Sequence, residues 1–172
     1  MIINCLHQTI DAPYLTGGVF NIIDTQQSIS HIGSNRFNYW SNIHIVDLPA
    51  CAYIGEGAFE GCENLTQVNI PSCEIIERMA FMVCKSLTTV SLSACISIDF
   101  AAFAHCWMLT SIYLMGSSVV PLSDSDVFHS TPIAGYSDYA GQYGTIYVPS
   151  TLLSDYQSAP NWSYFSDRFV PL

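Results

Sequence analysis

Apolar residues recur in this chain every 22 positions, a constraint that very few folds can meet. Ile32, Ile54, Ile76 and Ile98 form one column of the recurrence, and Phe37, Phe59, Phe81 and Phe103 another. The same register holds for Ala58, Ala80 and Ala102, for Cys62, Cys84 and Cys106, and for Cys51, Cys73 and Cys95. It holds again for Ile43, Leu65, Leu87 and Leu109, for Val46, Val68, Val90 and Ile112, and for Leu48, Ile70, Leu92 and Leu114. A compact globule has no reason to repeat so many apolar positions at one interval. A chain that stacks each unit on its own copy requires it, because no unit buries its apolar edge alone. The expected architecture is a solenoid.

Within one unit, Val68 and Ile70 are two residues apart, so an extended backbone turns both inward and leaves Gln67 and Asn69 facing out. Pro71 lacks a backbone donor and ends that strand. Ala58, Phe59 and Cys62 have the spacing of one helical turn, with the small alanine allowing close approach and the phenylalanine filling the interior. Parallel strands stack roughly 4.8 Å apart, so five units give a rod about 25 Å long. The fold class expected is therefore α/β, with short parallel strands and single-turn helical segments.

The ends break the register. Residues 1–31 carry the turn signals Asp11-Ala12-Pro13 and Gly17-Gly18 and a strand candidate in Val19, Phe20, Ile22 and Ile23, and read as an N-terminal cap. Residues 32–115 hold four 22-residue repeats. In residues 116–149 the triplet Ile146, Val148, Pro149 repeats Val68, Ile70, Pro71 after a 12-residue insertion, since 34 residues separate Ile112 from Ile146. Residues 150–172 read as a C-terminal cap: Pro149-Ser150-Thr151 with Asp155 opens a polar-capped segment, and Trp162, Tyr164, Phe165 and Phe169 supply the closing surface. The whole of 1–172 is expected to be one domain.

The order Leu65, Val68, Ile70, Cys73, Ile75 follows a leucine-rich pattern. The phrase Ile54-Gly55-Glu56-Gly57-Ala58-Phe59-Glu60-Gly61-Cys62-Glu63-Asn64-Leu65, with Val68, Ile70 and Pro71 after it, resembles the BspA-like leucine-rich repeats of bacteria. The specific part is A-F-x-x-C, present at Ala58, Ala80 and Ala102; Arg36 and Trp40 replace the alanine and cysteine in the first repeat, and Ser93 and Met115 replace the proline later. The resemblance covers about Ile32 to Pro149. It implies a right-handed solenoid, usually on secreted or surface proteins of host-associated microbes, that binds other proteins or host matrix. Similar tracts occur in proteins of bacterial viruses and some parasitic eukaryotes. The family brings no catalytic residues.

Composition removes several classes of partner. Fourteen acids against four bases leave a net charge near -10, with no basic stripe, so a phosphate backbone is repelled and nucleic acid is not an expected partner. No apolar run approaches the roughly 18 residues needed to span a bilayer. Met1-Ile2-Ile3-Asn4-Cys5 shows no signal peptide and only a poor match to a lipoprotein anchor. Six of the seven cysteines lie in two columns, side chains parallel, where a bridge needs converging Cβ vectors. Buried free thiols acting as small hydrophobes are expected, with neither metal nor other cofactor, since no C-x-x-C pair occurs.

Catalytic readings fare poorly. Cys106 beside His105 lacks the exposed, electropositive setting of a nucleophile if its column is core. The Ser123-Asp124-Ser125-Asp126 loop lacks the glycine turn and terminal glutamate of a calcium loop and reads as a solvated acidic turn. Two surfaces remain. The outward strand face shows the columns Ile45, Gln67, Thr89, Ser111, Thr145 and Asp47, Asn69, Ser91, Tyr113, Tyr147: mostly uncharged and hydrogen-bonding, with aromatics toward the C-terminal end. Repeat proteins bind through such faces, although any strand needs some solvated side.

The second surface is the stretch from Gly116 to Gly144, with Tyr136, Asp138, Tyr139 and Tyr143 among serines and glycines, the composition of antibody loops. The alternative for that stretch is a cover folded over Trp162 or Tyr164 with its tyrosines packed inward. The expected role is non-catalytic recognition of a protein or glycoprotein, adhesin-like, at the cell surface or outside the cell. A structural or spacer role in a bacteriophage particle or a larger surface protein is the alternative. Oligomeric state is not encoded in these patterns.

Overall fold

A computed structural model describes residues 18–135 and 143–172, together with the backbone of the short strand Ile2–Ile3. Strands β1 (Ile2–Ile3), β2 (Phe20–Ile23), β3 (His31–Ile32), β4 (Ile43–Asp47), β5 (Tyr53–Ile54) and β6 (Gln67–Asn69) are followed by β7 (Ile75–Ile76), β8 (Thr89–Leu92), β9 (Ser97–Ile98), β10 (Ser111–Leu114), β11 (Thr145–Val148) and β12 (Phe169–Pro171). From β2 to β10 the chain alternates between two sheet faces, so each unit gives one strand to each.

One face runs β1-β2-β4-β6 and, beside β6, β8-β10-β11-β12; the other runs β3-β5-β7-β9. All pairings are parallel, and through the repeats they join residues 22 apart: Val46 with Val68, Val90 with Ile112, Ile54 with Ile76 and Ile76 with Ile98. The chain thus has an α/β repeat fold of parallel strands with few, short helices.

The columns read from sequence are the core. Phe37, Phe59, Phe81 and Phe103 are buried, and their rings form one file with centroids 5.3, 5.3 and 5.4 Å apart and planes within 14° of parallel. The isoleucine, leucine and valine columns lie beside them. Outward-facing Gln67 and Asn69 are exposed while Val68 and Ile70 are buried, as their spacing requires. The predicted strand around Phe20 also forms. It pairs with β4 at a 24-residue offset, Ile22 to Val46, through a register shift between Phe20 and Asn21, which is why no 22-residue column reaches it.

The cysteines at 51, 62, 73, 84, 95 and 106 are free and buried. They are more than small hydrophobes. Cys62, Cys84 and Cys106 each donate the thiol proton to the carbonyl of the column phenylalanine one repeat earlier, Phe37, Phe59 and Phe81, at 3.1, 3.2 and 3.1 Å. Burial opposes ionisation and pushes the Cys62 thiol up to about 12 and the Cys95 thiol up to about 11.

The segment from Gly55 to Cys62 corrects the helical expectation. It is a run of tight turns, with left-handed backbone at Gly57 (φ 60°) and Gly61 (φ 71°). A helix requires every residue right-handed, so one left-handed residue in each four forbids it. Its amides alternate in direction: Ala58, Glu60 and Cys62 donate within the unit, to Gly55, Gly57 and Phe59, while Gly57, Phe59 and Gly61 donate to Arg78, Ala80 and Met82 of the next repeat. The same left-handed positions recur as Asn35 and Tyr39, Met79 and Val83, and Ala101 and His105. A side chain at Gly61 would press its Cβ to 2.5 Å from the Tyr39 ring one repeat back. Among the described residues, the last unit alone has the predicted single turn, a 3-10 helix over Ser125–Phe128.

The 12 surplus residues divide. Leu122 bridges to Ile98 at an interval of 24 and Phe128 stacks on Phe103 at 25, before Ile146 pairs with Ile112 at 34. Most of the surplus therefore follows Phe128, a fifth member of the phenylalanine file, and buried Thr131 stands where earlier units have cysteine.

Beyond β11 come a 3-10 turn (Ser150–Leu152), α1 (Leu153–Ser158) and a second 3-10 segment (Ser163–Arg168). Trp162 and Phe165 pack on Phe128, and Tyr156 and Phe169 pack on Trp162. The Trp162 Nε1–H donates to the Val120 carbonyl at 2.6 Å, the Val120 amide donates to the Tyr156 oxygen at 3.1 Å, and Asn161 donates to the Leu122 carbonyl at 2.9 Å. Two expectations for this region fail. Tyr164 is 75% exposed and stands apart from the buried core, and neither the 3-10 turn at Ser150 nor α1 has a side-chain cap.

Candidate functional site

The outward columns of the first face are set by register. Ile45 lies beside Gln67, Thr89 beside Ser111 and Ser111 beside Thr145; Asp47 lies beside Asn69, Ser91 beside Tyr113 and Tyr113 beside Tyr147. Their neighbours in chain, Val46, Val68, Val90, Ile112 and Ile146, are buried, so pleating alone turns these residues to solvent. Gln67, Asn69, Thr89 and Ser91 are exposed, and Ser111, Tyr113, Thr145 and Tyr147 half-buried.

The one charge in these columns, Asp47, accepts a hydrogen bond from the Asn69 amide at 2.7 Å. At the other end the Tyr113 and Tyr147 rings stack with centroids 4.4 Å apart and planes 8° from parallel. The arrangement is a neutral, hydroxyl-rich sheet that rises to a two-ring platform.

The second candidate surface is reached only at its margin. Tyr136, Asp138 and Tyr139 lie outside the described residues. Tyr143 is 62% exposed, and the Arg168 guanidinium sits over its ring, 4.1 Å from the centroid. The exit of the insertion is thereby tied to the C-terminal segment while the ring still faces water.

The turn side of the repeats carries residues that the columns did not single out. Glu56, Arg78 and Phe100 form a ladder at 22-residue intervals: Arg78 Nε is 3.3 Å from the Glu56 carboxylate and its guanidinium lies 5.4 Å from the Phe100 ring centre. Glu63, Lys85 and Trp107 repeat the theme, at 2.8 Å and 4.8 Å. Acid, cation and aromatic thus follow one another across three repeats at two positions, and Trp107 and Met108 remain exposed. The signal was present in sequence as columns of changing, rather than conserved, chemistry.

The candidate chemical groups are separated. The Cys106 thiol is buried against Phe81, and the His105 ring lies instead against His129, with centroids 5.3 Å apart. Asp124 of the acidic turn accepts from the Asp126 amide at 2.7 Å and caps the 3-10 helix there. Among the described residues no helix is long and apolar enough to cross a membrane.

Comparison with known proteins bears on the same repeats. A family model described as BspA type leucine-rich repeat region matches residues 10–134 in six copies. Its span begins earlier than the columns do and takes in β2. No curated protein matches the chain.

Proposed function

The chain belongs to the BspA type leucine-rich repeat family, whose repeats usually serve protein interaction, and on that premise we propose that it is a non-catalytic recognition module acting through the outward strand face. In this reading the units form a right-handed solenoid, closed at its ends by the N-terminal segment and by the Trp162 cluster. Its ligand is a protein or glycoprotein, and its setting is the bacterial cell surface or the medium, where it works as an adhesin. The observation that carries the reading is the face built of Gln67, Asn69, Thr89, Ser91, Ser111, Tyr113 and Tyr147. It is solvent-facing, nearly uncharged on a chain of net charge -10, and ends in stacked tyrosines. Neutral polar rims around aromatic anchors are what recognition surfaces favour. The insertion residues Tyr136, Asp138, Tyr139 and Tyr143 are proposed as a second recognition surface, on their antibody-loop composition.

The test is affinity capture from host-cell and bacterial extracts on the immobilised chain, followed by titration of the captured partner. Replacing Tyr113, Tyr139 and Tyr147 together with alanine is expected to weaken binding at least about tenfold. Equal affinity in the folded triple variant rejects these surfaces.

A further inference from the structure

The geometry points to a binding site for a neutral carbohydrate ring on the open face of Tyr113, above Ser91; this rests on the strand-face reading and names its ligand class. Tyr113 and Tyr147 occupy paired positions on adjacent parallel strands, and their rings are nearly parallel at 4.4 Å. The ring normals therefore run from strand to strand, along the stack. On its other side Tyr113 has Ser91 as column neighbour, and Ser91 is exposed. A hydroxymethyl group is too short to cover an aromatic face, so the file of rings stops with one face open. A flat ring laid over Ser91 would meet Tyr113 at about one strand spacing, roughly 4.8 Å, which continues the stacking already present between the tyrosines.

The surroundings select among flat ligands. Thr89 and Ser111 stand in the adjoining outward column, so the step beside Tyr113 is edged by three hydroxyls, each able to donate and to accept. The nearest carboxylate in these columns, Asp47, is already engaged by Asn69, and no cation occurs in either column. An anionic or cationic ligand would find no counter-charge. An aromatic side chain of a peptide would fill the ring face but leave the hydroxyl edge without partners, at the cost of desolvating it. A hexopyranose has what both parts ask for: an apolar C–H face for the tyrosine and a rim of hydroxyls for Ser91, Thr89 and Ser111.

The full chain is to be applied to an array carrying neutral hexopyranose oligosaccharides, acidic oligosaccharides and aromatic-rich peptides. Four forms are compared: the natural sequence, Tyr113→Phe, Tyr113→Ala and Tyr113→Leu, the last retaining bulk without a flat face. Circular dichroism melts establish that each form folds. Retention of neutral oligosaccharides that survives Tyr113→Phe within about threefold and falls at least about tenfold in the alanine and leucine forms supports the site. Absence of neutral-oligosaccharide binding, or binding indifferent to Tyr113→Ala, overturns it. If only peptides bind and do so through Tyr113, the carbohydrate assignment fails while the strand-face reading stands. If no probe depends on Tyr113, the carbohydrate site falls, and the strand-face reading falls with it only if the captured partner also binds the triple variant with equal affinity.

Discussion

Between Ile54 and Leu114 every unit rests on a near copy of itself, whereas beyond Leu114 the chain must cover Phe128 with residues that have no counterpart elsewhere. In the first region phenylalanine lies on phenylalanine and cysteine recurs above cysteine, and pairings keep an interval of 22. In the second the intervals are 24, 25 and 34, and Trp162 and Phe165 take the place of another repeat. Like-on-like packing repeats a solution, and like-on-unlike packing needs large, singular side chains with their own hydrogen bonds, as Trp162 and Tyr156 have to Val120. The cost of removing one ring measures how well the substitute cover works.

The largest effects are expected for Phe81→Ala and Phe128→Ala. Each empties a buried site, and each should lose about 3–5 kcal/mol in urea denaturation. Equal losses mean that the Trp162 cluster replaces a repeat in full; a loss under about 1 kcal/mol at Phe128 would show that the end packs loosely.

Alkali should separate the regions further, since the described cysteines all lie between Cys51 and Cys106. The thiols of Cys51, Cys62, Cys73, Cys84 and Cys95 hold protons more tightly folded than unfolded, because burial opposes their ionisation, so the unfolded chain binds fewer protons above its own thiol pKa. The stabilisation is complete below pH 9 and is lost as pH rises from 9.0 toward about 12 for Cys62. Cys62 alone contributes a fall of about 1.4 kcal/mol per pH unit in that window. Denaturation midpoints from pH 7 to pH 10.5, with reductant present, should drop steadily above pH 9, and Cys62→Ala should flatten the slope.

A smaller, signed effect tests the turn ladder within the regular region. Val83 and Gly61 hold equivalent left-handed positions, φ 62° and 71°. A β-branched residue there is strained by roughly 1 kcal/mol or more. Val83→Gly should therefore raise the melting temperature, while Gly61→Ala, which drives a Cβ into Tyr39, should lower it. The same sign for both would mean that the column is not equivalent.

What the sequence showed and hid follows from the same contrast. The interior files, the outward strand columns and even the pairing of Tyr113 with Tyr147 across the insertion were legible, because the Ile146-Val148-Pro149 triplet preserved the pleat. Phe128 was not, since a unit of 25 residues falls outside a 22-residue column. The second sheet was hidden because strands of two residues are too short to alternate. The turns passed for helix because glycine marks both left-handed positions only in the repeat of Gly57 and Gly61; Met79, Val83, Ala101 and His105 adopt the same backbone without announcing it. The charged and aromatic ladders through Arg78 and Lys85 escaped a search for identical residues, since their columns change chemistry at every step.

The central claim is that each repeat is hydrogen-bonded and packed onto the next through the turn segment as well as through the sheets. Native-state amide exchange at Phe59, Phe81 and Phe103 tests it most directly, because these amides donate to Ala80, Ala102 and Val127 in the following unit at 2.8, 2.8 and 3.0 Å. Protection close to the free energy of global unfolding is the expected result. Exchange at the rate of an unstructured peptide, with the rest of the chain folded, would contradict it.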